Sequence, residues 1–165
     1  MDQRGECYAD LLEKEIVKQS PKTVLAFLAE PVGGASSGAL VAPGTYYPKV
    51  REICDRYGVL LIADEVLCGT GRTGEYLALN HWGVQADIVA LAKGLAAGYS
   101  PLGAVVAKED LVEAVLDDGG FMHGYTYAGN PMACAAGKAV LEVLLEENLM
   151  QRAKEQGAKL RAGLE

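Results

Sequence analysis

The sequence has no CxxC pair, no cluster of histidines, no run of Lys or Arg, and no long apolar stretch. Each absence removes a class of function. The four cysteines (Cys7, Cys54, Cys68, Cys134) are scattered, and His81 and His123 stand apart from them, so metal-ligand spacing is missing. Dispersed thiols of this kind are expected to be reduced and mostly buried, which suits a cytoplasmic protein. The formal net charge is -7, and without clustered cations a nucleic-acid partner is not expected. No apolar stretch reaches the roughly 20 residues of a membrane helix. The opening residues, MDQRGECYADLLEKE, hold no apolar core of a signal peptide. A soluble, cytoplasmic chain is the expectation.

What the 165 residues do contain is enough apolar material for one domain, half of them being hydrophobic. Four short apolar runs cover 23–29, 59–63, 87–92 and 103–107. They are nearly continuous rather than alternating, the pattern of strands covered on both faces. Helical patterns alternate with them. One runs from Tyr8 to Lys18 and is expected to pack through Leu11, Leu12 and Ile16. Another carries Tyr46, Val50, Ile53, Cys54 and Tyr57, with Thr45 as a candidate cap, Pro48 in its first turn and Gly58 as its stop. Strand–helix–strand order at this spacing predicts an α/β fold with a largely parallel sheet. After a loop over 119–131, an apolar helical stretch from Met132 to Leu145 continues or restarts through Met150, Ala153, Gly157, Leu160 and Leu164. The pattern is still running at Glu165, which reads as a truncated chain.

Two strand ends carry chemistry. Leu60-Leu61-Ile62-Ala63-Asp64-Glu65-Val66 is a buried run that stops in two carboxylates. Desolvating them is costly without a partner, solvent or a ligand. Ala90-Leu91-Ala92-Lys93-Gly94 ends the next strand in a cation. If these strands pair, about 4.8 Å apart, Asp64 and Lys93 project from one edge, where open α/β sheets bind ligands. Taken singly, each has a plainer reading: a solvated turn for the acids, an ion pair or a solvent-facing amine for the lysine. Together they match pyridoxal phosphate (PLP) chemistry, which needs an amine for a Schiff base and a carboxylate to keep the ring nitrogen protonated. The freed amine can then move the substrate's proton.

Four blocks make this specific: AFLAEP with the loop after it (26–47), VLLIADEVLCGTGRTG (59–74), ADIVALAKGLAAGYSPLGAVVA (86–107) and HGYTYAGNP (123–131). In this order they resemble the class III (omega) aminotransferase family of PLP-dependent, fold type I enzymes. The resemblance implies a three-layer α/β large domain, present in part: a sheet core over 23–107 with the cofactor motifs, and helices over 132–165 leading toward a small domain that is absent. It implies PLP-dependent transamination from an amino acid or omega-amine donor to a 2-oxo acid. Lys93 would be the Schiff-base lysine and proton shuttle, Asp64 the partner of the ring nitrogen, and Val66 a contact on one ring face. Thr126 would bind the phosphate in the neighbouring subunit's site, which implies a homodimer or larger homo-oligomer. Glu30 and Glu65 are expected to be structural or orienting. Leu67-Cys68 departs from the polar residue many relatives carry there, a variant resembling the branch that acts on omega-amino acids and amines. Family members are much longer. Their aromatic ring-stacking residue, same-subunit phosphate segment and substrate arginine have no counterpart in these residues.

Three alternatives stay open at this level. Gly69-Thr70-Gly71-Arg72-Thr73-Gly74 fits GxGxxG after a strand, with Lys93 favouring NADP, although Asp64 and Glu65 would repel a pyrophosphate and EYLALNHWG makes a poor helix to receive it. An aminomutase or related class III reaction uses the same lysine and aspartate. A folded fragment without turnover is the third.

Overall fold

The computed structural model describes residues 4–165. Its centre is a four-stranded sheet in the order β1 (Ala26–Ala29), β2 (Leu60–Asp64), β3 (Ile88–Leu91), β4 (Ala104–Ala107). The first three strands are parallel and β4 runs antiparallel to β3. The sheet is therefore mixed but mostly parallel, in an α/β arrangement; β1, β3 and β4 lie within the expected runs, and β2 extends one residue past its run, to Asp64. The direction of β4 goes with its connection. Between Leu91 and Ala104 the chain forms the 3₁₀ turn Lys93–Ala96 and loop, with no α-helix to carry a parallel crossover.

Two helices cover one face of the sheet. Helix α1 (Arg4–Gln19) packs on α2 (Tyr46–Tyr57), and their buried side chains Ala9, Ile16, Val50, Ile53 and Cys54 join Leu61, Ala63, Val89 and Leu91 in the core. Burial alternates along the strands: Leu61 and Ala63 are buried while Ile62 and Asp64 are half-buried. A period of two places Asp64 on the face away from α1 and α2. Continuous hydrophobicity predicted burial on both faces; among the described residues the burial is one-sided.

Other details depart from the sequence reading. In α1 the packed stripe is Ala9, Leu12 and Ile16, while Leu11 points outward at 59% exposure. Thr45 does stand at the N-cap position of α2, but its backbone is helical and its side chain makes no capping bond. Gly58 does stop α2, in the left-handed conformation with φ 67°, its N–H bonding back into the last turn. An unforeseen helix, α3 (Glu109–Asp117), follows β4 and buries none of its residues. The C-terminal stretch is two helices, α4 (Pro131–Glu146) and α5 (Leu149–Leu164), broken at left-handed Asn148. Asn130 caps α4, its side-chain oxygen accepting from the N–H groups of Met132 and Ala133 at 3.1 Å each. Among the described residues no helix is long and apolar enough to cross a membrane.

Candidate active site

Strand register brings the two singled-out residues to one edge. Asp64 is the Cα partner of Ala90 on β3, and Lys93 comes three residues later at the same carboxyl end. The ladder continues past the strand, the Glu65 N–H donating to Ala90 O at 2.9 Å. Beyond Leu91 the chain turns sharply, with Lys93 itself left-handed at φ 45°. Conformations of this kind in non-glycine residues cost energy and cluster at functional sites.

The neighbouring carboxylates have opposite fates. Glu65 is 1% exposed and points into the core. Its oxygens accept from the N–H groups of Ala78 at 2.9 Å and Leu79 at 3.0 Å, and from the Cys68 thiol at 3.1 Å. It thus fills the free donors that open the 3₁₀ turn Ala78–Trp82, the structural role expected of it. Burial, reinforced by that hydrogen bond, pushes the Cys68 thiol up to about 12, which removes it as a nucleophile. Asp64, by contrast, accepts only the N–H of Val66, at 3.0 Å. No cation pairs with it among the described residues. Lys93 is exposed, and its amine makes no hydrogen bond or ion pair among the described residues.

Lys93 lines an open cavity of about 1100 Å³ between the glycine-rich turn 69–72, the segment 93–99 and the facing sides of α4 and α5. Asp64, Val66 and Thr126 are not among its walls. Asp64 lies on the sheet face away from α1 and α2 instead. Val66 is half-buried in the turn after Asp64, and Thr126 is exposed in the loop between α3 and α4. The structure therefore brings Asp64, Val66 and Lys93 to one sheet edge and leaves Thr126 outside it. The GxGxxG segment is a run of turns with no α-helix after it. The first helical donors downstream, Ala78 and Leu79, are already taken by Glu65. A dinucleotide phosphate has no helix N-terminus to meet here.

A model of class III aminotransferases matches residues 1–165, the entire chain. This chain belongs to the class III aminotransferase family. Among curated relatives it is 43% identical over 157 residues to a putrescine–pyruvate aminotransferase of Pseudomonas aeruginosa, covering 95% of this chain and 34% of that one. It is 39% identical over 160 residues to gamma aminobutyrate transaminase 2 of Solanum lycopersicum, covering 94% and 35%. Among solved structures, a transaminase from the marine bacterium Virgibacillus superposes with TM-score 0.93 at 38% identity, covering 97% of this chain and 36% of that one. An amine transaminase from an uncultivated Pseudomonas species, in its PLP-bound form, gives 0.89 at 46% identity, covering 94% and 36%. The chain thus spans about a third of the length of these class III relatives.

The site residues present fit the family's cofactor in part. PLP requires an uncommitted amine and a carboxylate not already neutralised by the protein, and Lys93 and Asp64 meet those two conditions at adjoining strand ends. One feature of the site carried no sequence signal: the left-handed turn at Lys93, which only packing against a neighbouring loop can impose.

Proposed function

We propose that this chain supplies the lysine–aspartate part of a PLP-dependent aminotransferase, as a portion of its large domain built on the sheet core 23–107 with helices 132–165 leading out of it. The observation that carries this reading is that Lys93 and Asp64, neither with a charged partner among the described residues, stand at the same carboxyl end of two strands paired in parallel. The bound cofactor supplies an aldehyde that captures amines and a protonated ring that withdraws electrons from the substrate carbon. Asp64 would hold the proton on the ring nitrogen by accepting its N–H. Lys93 would anchor the cofactor through its Nζ and could hold the substrate's proton on that atom. Val66 would pack against the ring and keep water from one side.

The amino donor is an amino acid or an omega-amine, and the acceptor a 2-oxo acid. The names of relatives, which include putrescine with pyruvate and gamma aminobutyrate, support that class, as does Leu67-Cys68 after the carboxylates. Thr126, exposed on a loop away from its own Lys93, is suited to a neighbour's phosphate site, so the active form is a homodimer or larger. Four free cysteines support a reducing, cytoplasmic setting.

The test is covalent. PLP added to the purified chain should give a visible absorption that borohydride fixes on Lys93, and Lys93→Ala should abolish the specific adduct. Peptide mapping that puts the label on Lys49 or Lys108 instead would overturn the assignment.

A further inference from the structure

The geometry points to Thr70 as a positioning residue for Lys93, acting through Gly94. Thr70 is 6% exposed, and its hydroxyl is buried with no hydrogen-bond partner. Its backbone is left-handed at φ 55°, a marked outlier for a β-branched side chain. Threonine here thus carries two penalties that glycine or a small apolar residue would lessen, and packing alone does not account for keeping it.

What Thr70 touches supplies the reason. A Cβ placed on Gly94 would lie 3.2 Å from Thr70 Cβ and 3.7 Å from its hydroxyl oxygen. Gly94 does not have a positive φ, so space rather than conformation selects glycine there. The flanking Gly69 and Gly71 are also forced: a Cβ on Gly69 would meet Glu65 O at 2.7 Å, and Gly71 has φ 84°. Thr70 is therefore the side chain that the glycine-rich turn presents to the Lys93 turn. It fills the space beside Gly94 and holds the residue before it, Lys93, in its own left-handed conformation at φ 45°. The turn that follows Asp64 is thereby wedged against the turn that carries Lys93, which fixes where the amine leaves the sheet. Nothing in the GxGxxG pattern is left for a phosphate to explain.

This inference rests on Lys93 being the reacting amine, but it can be tested without that assumption. In the cofactor-free chain, Gly94→Ala should shift the Lys93 Cα resonance, which reports that residue's backbone conformation. Adding Thr70→Gly, which removes the crowding Cβ, should return it toward the wild-type position. The same pair read by borohydride-fixed PLP should show Lys93 labelling, relative to Lys49, falling about tenfold in Gly94→Ala and recovering in the double variant. Thr70→Ser, which keeps Cβ and hydroxyl, should stay near wild type in both readouts. If Gly94→Ala does not fold, Thr70→Gly alone should speed exchange of the Leu95 amide, which donates to Ala92 O across the Lys93 turn, about tenfold. An unchanged Lys93 Cα resonance in Gly94→Ala, a double variant no better than the single, or unchanged exchange in Thr70→Gly would overturn the proposal. These backbone effects in a protein that never labels at Lys93 would instead remove the functional reading and leave the positioning contact standing.

Discussion

Two aspartates at opposite ends of neighbouring strands show how this sheet divides structure from chemistry. Asp87, at the amino end of β3, is 7% exposed and fully engaged. It accepts from Arg51 at 2.8 Å, from Lys108 at 2.5 Å and from the Leu61 N–H at 2.7 Å, tying α2, the start of α3 and β2 to one carboxylate. Asp64, at the carboxyl end of β2, has the N–H of Val66 and no cation. Burial alone raises the Asp87 pKa. The hydrogen bonds from Lys108, Leu61 and Arg51 outweigh it and hold the group at about 2, below its ordinary 3.8. A carboxylate with every lone pair spoken for is part of the scaffold. One left without a counter-charge at the ligand-binding edge is available.

The comparison breaks most visibly in stability. Asp87→Ala should cost about 3 kcal/mol, because it leaves the Leu61 N–H without its acceptor, takes from Arg51 one of its two carboxylate partners, the other being Asp55, and frees Lys108. Asp64→Ala should change the denaturation midpoint by less than about 1 kcal/mol, since it removes one hydrogen bond within a turn. It should nonetheless eliminate any transamination by the holoenzyme. Urea unfolding of both variants decides the point: equal losses would mean that Asp64 is as structural as Asp87.

Glu65 tests the same division between adjacent residues. Glu65→Gln keeps one acceptor oxygen but turns an amide donor toward the N–H of either Ala78 or Leu79. We expect a loss of about 2 kcal/mol, smaller than for Asp87→Ala because one acceptor oxygen remains and no ion pair is lost. A change near zero would show that the 3₁₀ turn Ala78–Trp82 does not depend on this carboxylate.

Acid titration sharpens the comparison further. Asp87 has a folded-state pKa below its unfolded value, so its contribution to stability is fully present above pH about 4. It is lost as the pH falls through about 2. Asp87→Asn keeps an acceptor for Leu61 but removes the charge, and should flatten the stability profile between those limits. A slope unchanged in that variant would assign the acid sensitivity to other carboxylates.

How much of this was legible beforehand follows the same line. The four strands could be read because apolar runs of that length, bounded by Gly, Asp and Pro, have few other uses. Asp64 and Lys93 could be read because charged residues at the ends of such runs are exceptional. The antiparallel β4 goes with a connection that holds no α-helix, and the composition of the strand does not reveal it. Helix α3 did carry a signal, Leu111, Val112, Val115 and Leu116 at helical spacing, although none of these residues is buried in this chain. Leu11 was misread as packed because a stripe can be drawn through Leu11 or through Ala9, and only the position of α2 selects between them. The Thr70–Gly94 contact is tertiary: it joins two turns through a missing side chain, and an absent Cβ leaves no pattern along the chain.

The smallest expected effect concerns the region least like the sheet. Thr126 lies in the glycine-rich loop between α3 and α4, where Gly119, Gly120 and Gly129 all have positive φ and Phe121, Met122, Tyr125 and Tyr127 are each more than 70% exposed. A side chain that contacts so little in its own chain should be replaceable: Thr126→Ala is expected to move the unfolding free energy by less than about 0.5 kcal/mol. Its effect should appear only between chains. If the loop crosses to a neighbour and Thr126 meets that neighbour's cofactor phosphate, PLP should promote assembly of the wild-type chain in sedimentation experiments. Thr126→Ala should weaken that response while leaving the cofactor-free behaviour unchanged, and the exposed apolar residues around it would still favour association. A wild-type chain that sediments as a compact monomer with and without PLP would confine Thr126 to its own subunit. The contrast between a self-sufficient sheet and a loop completed by a partner would then fail at the loop.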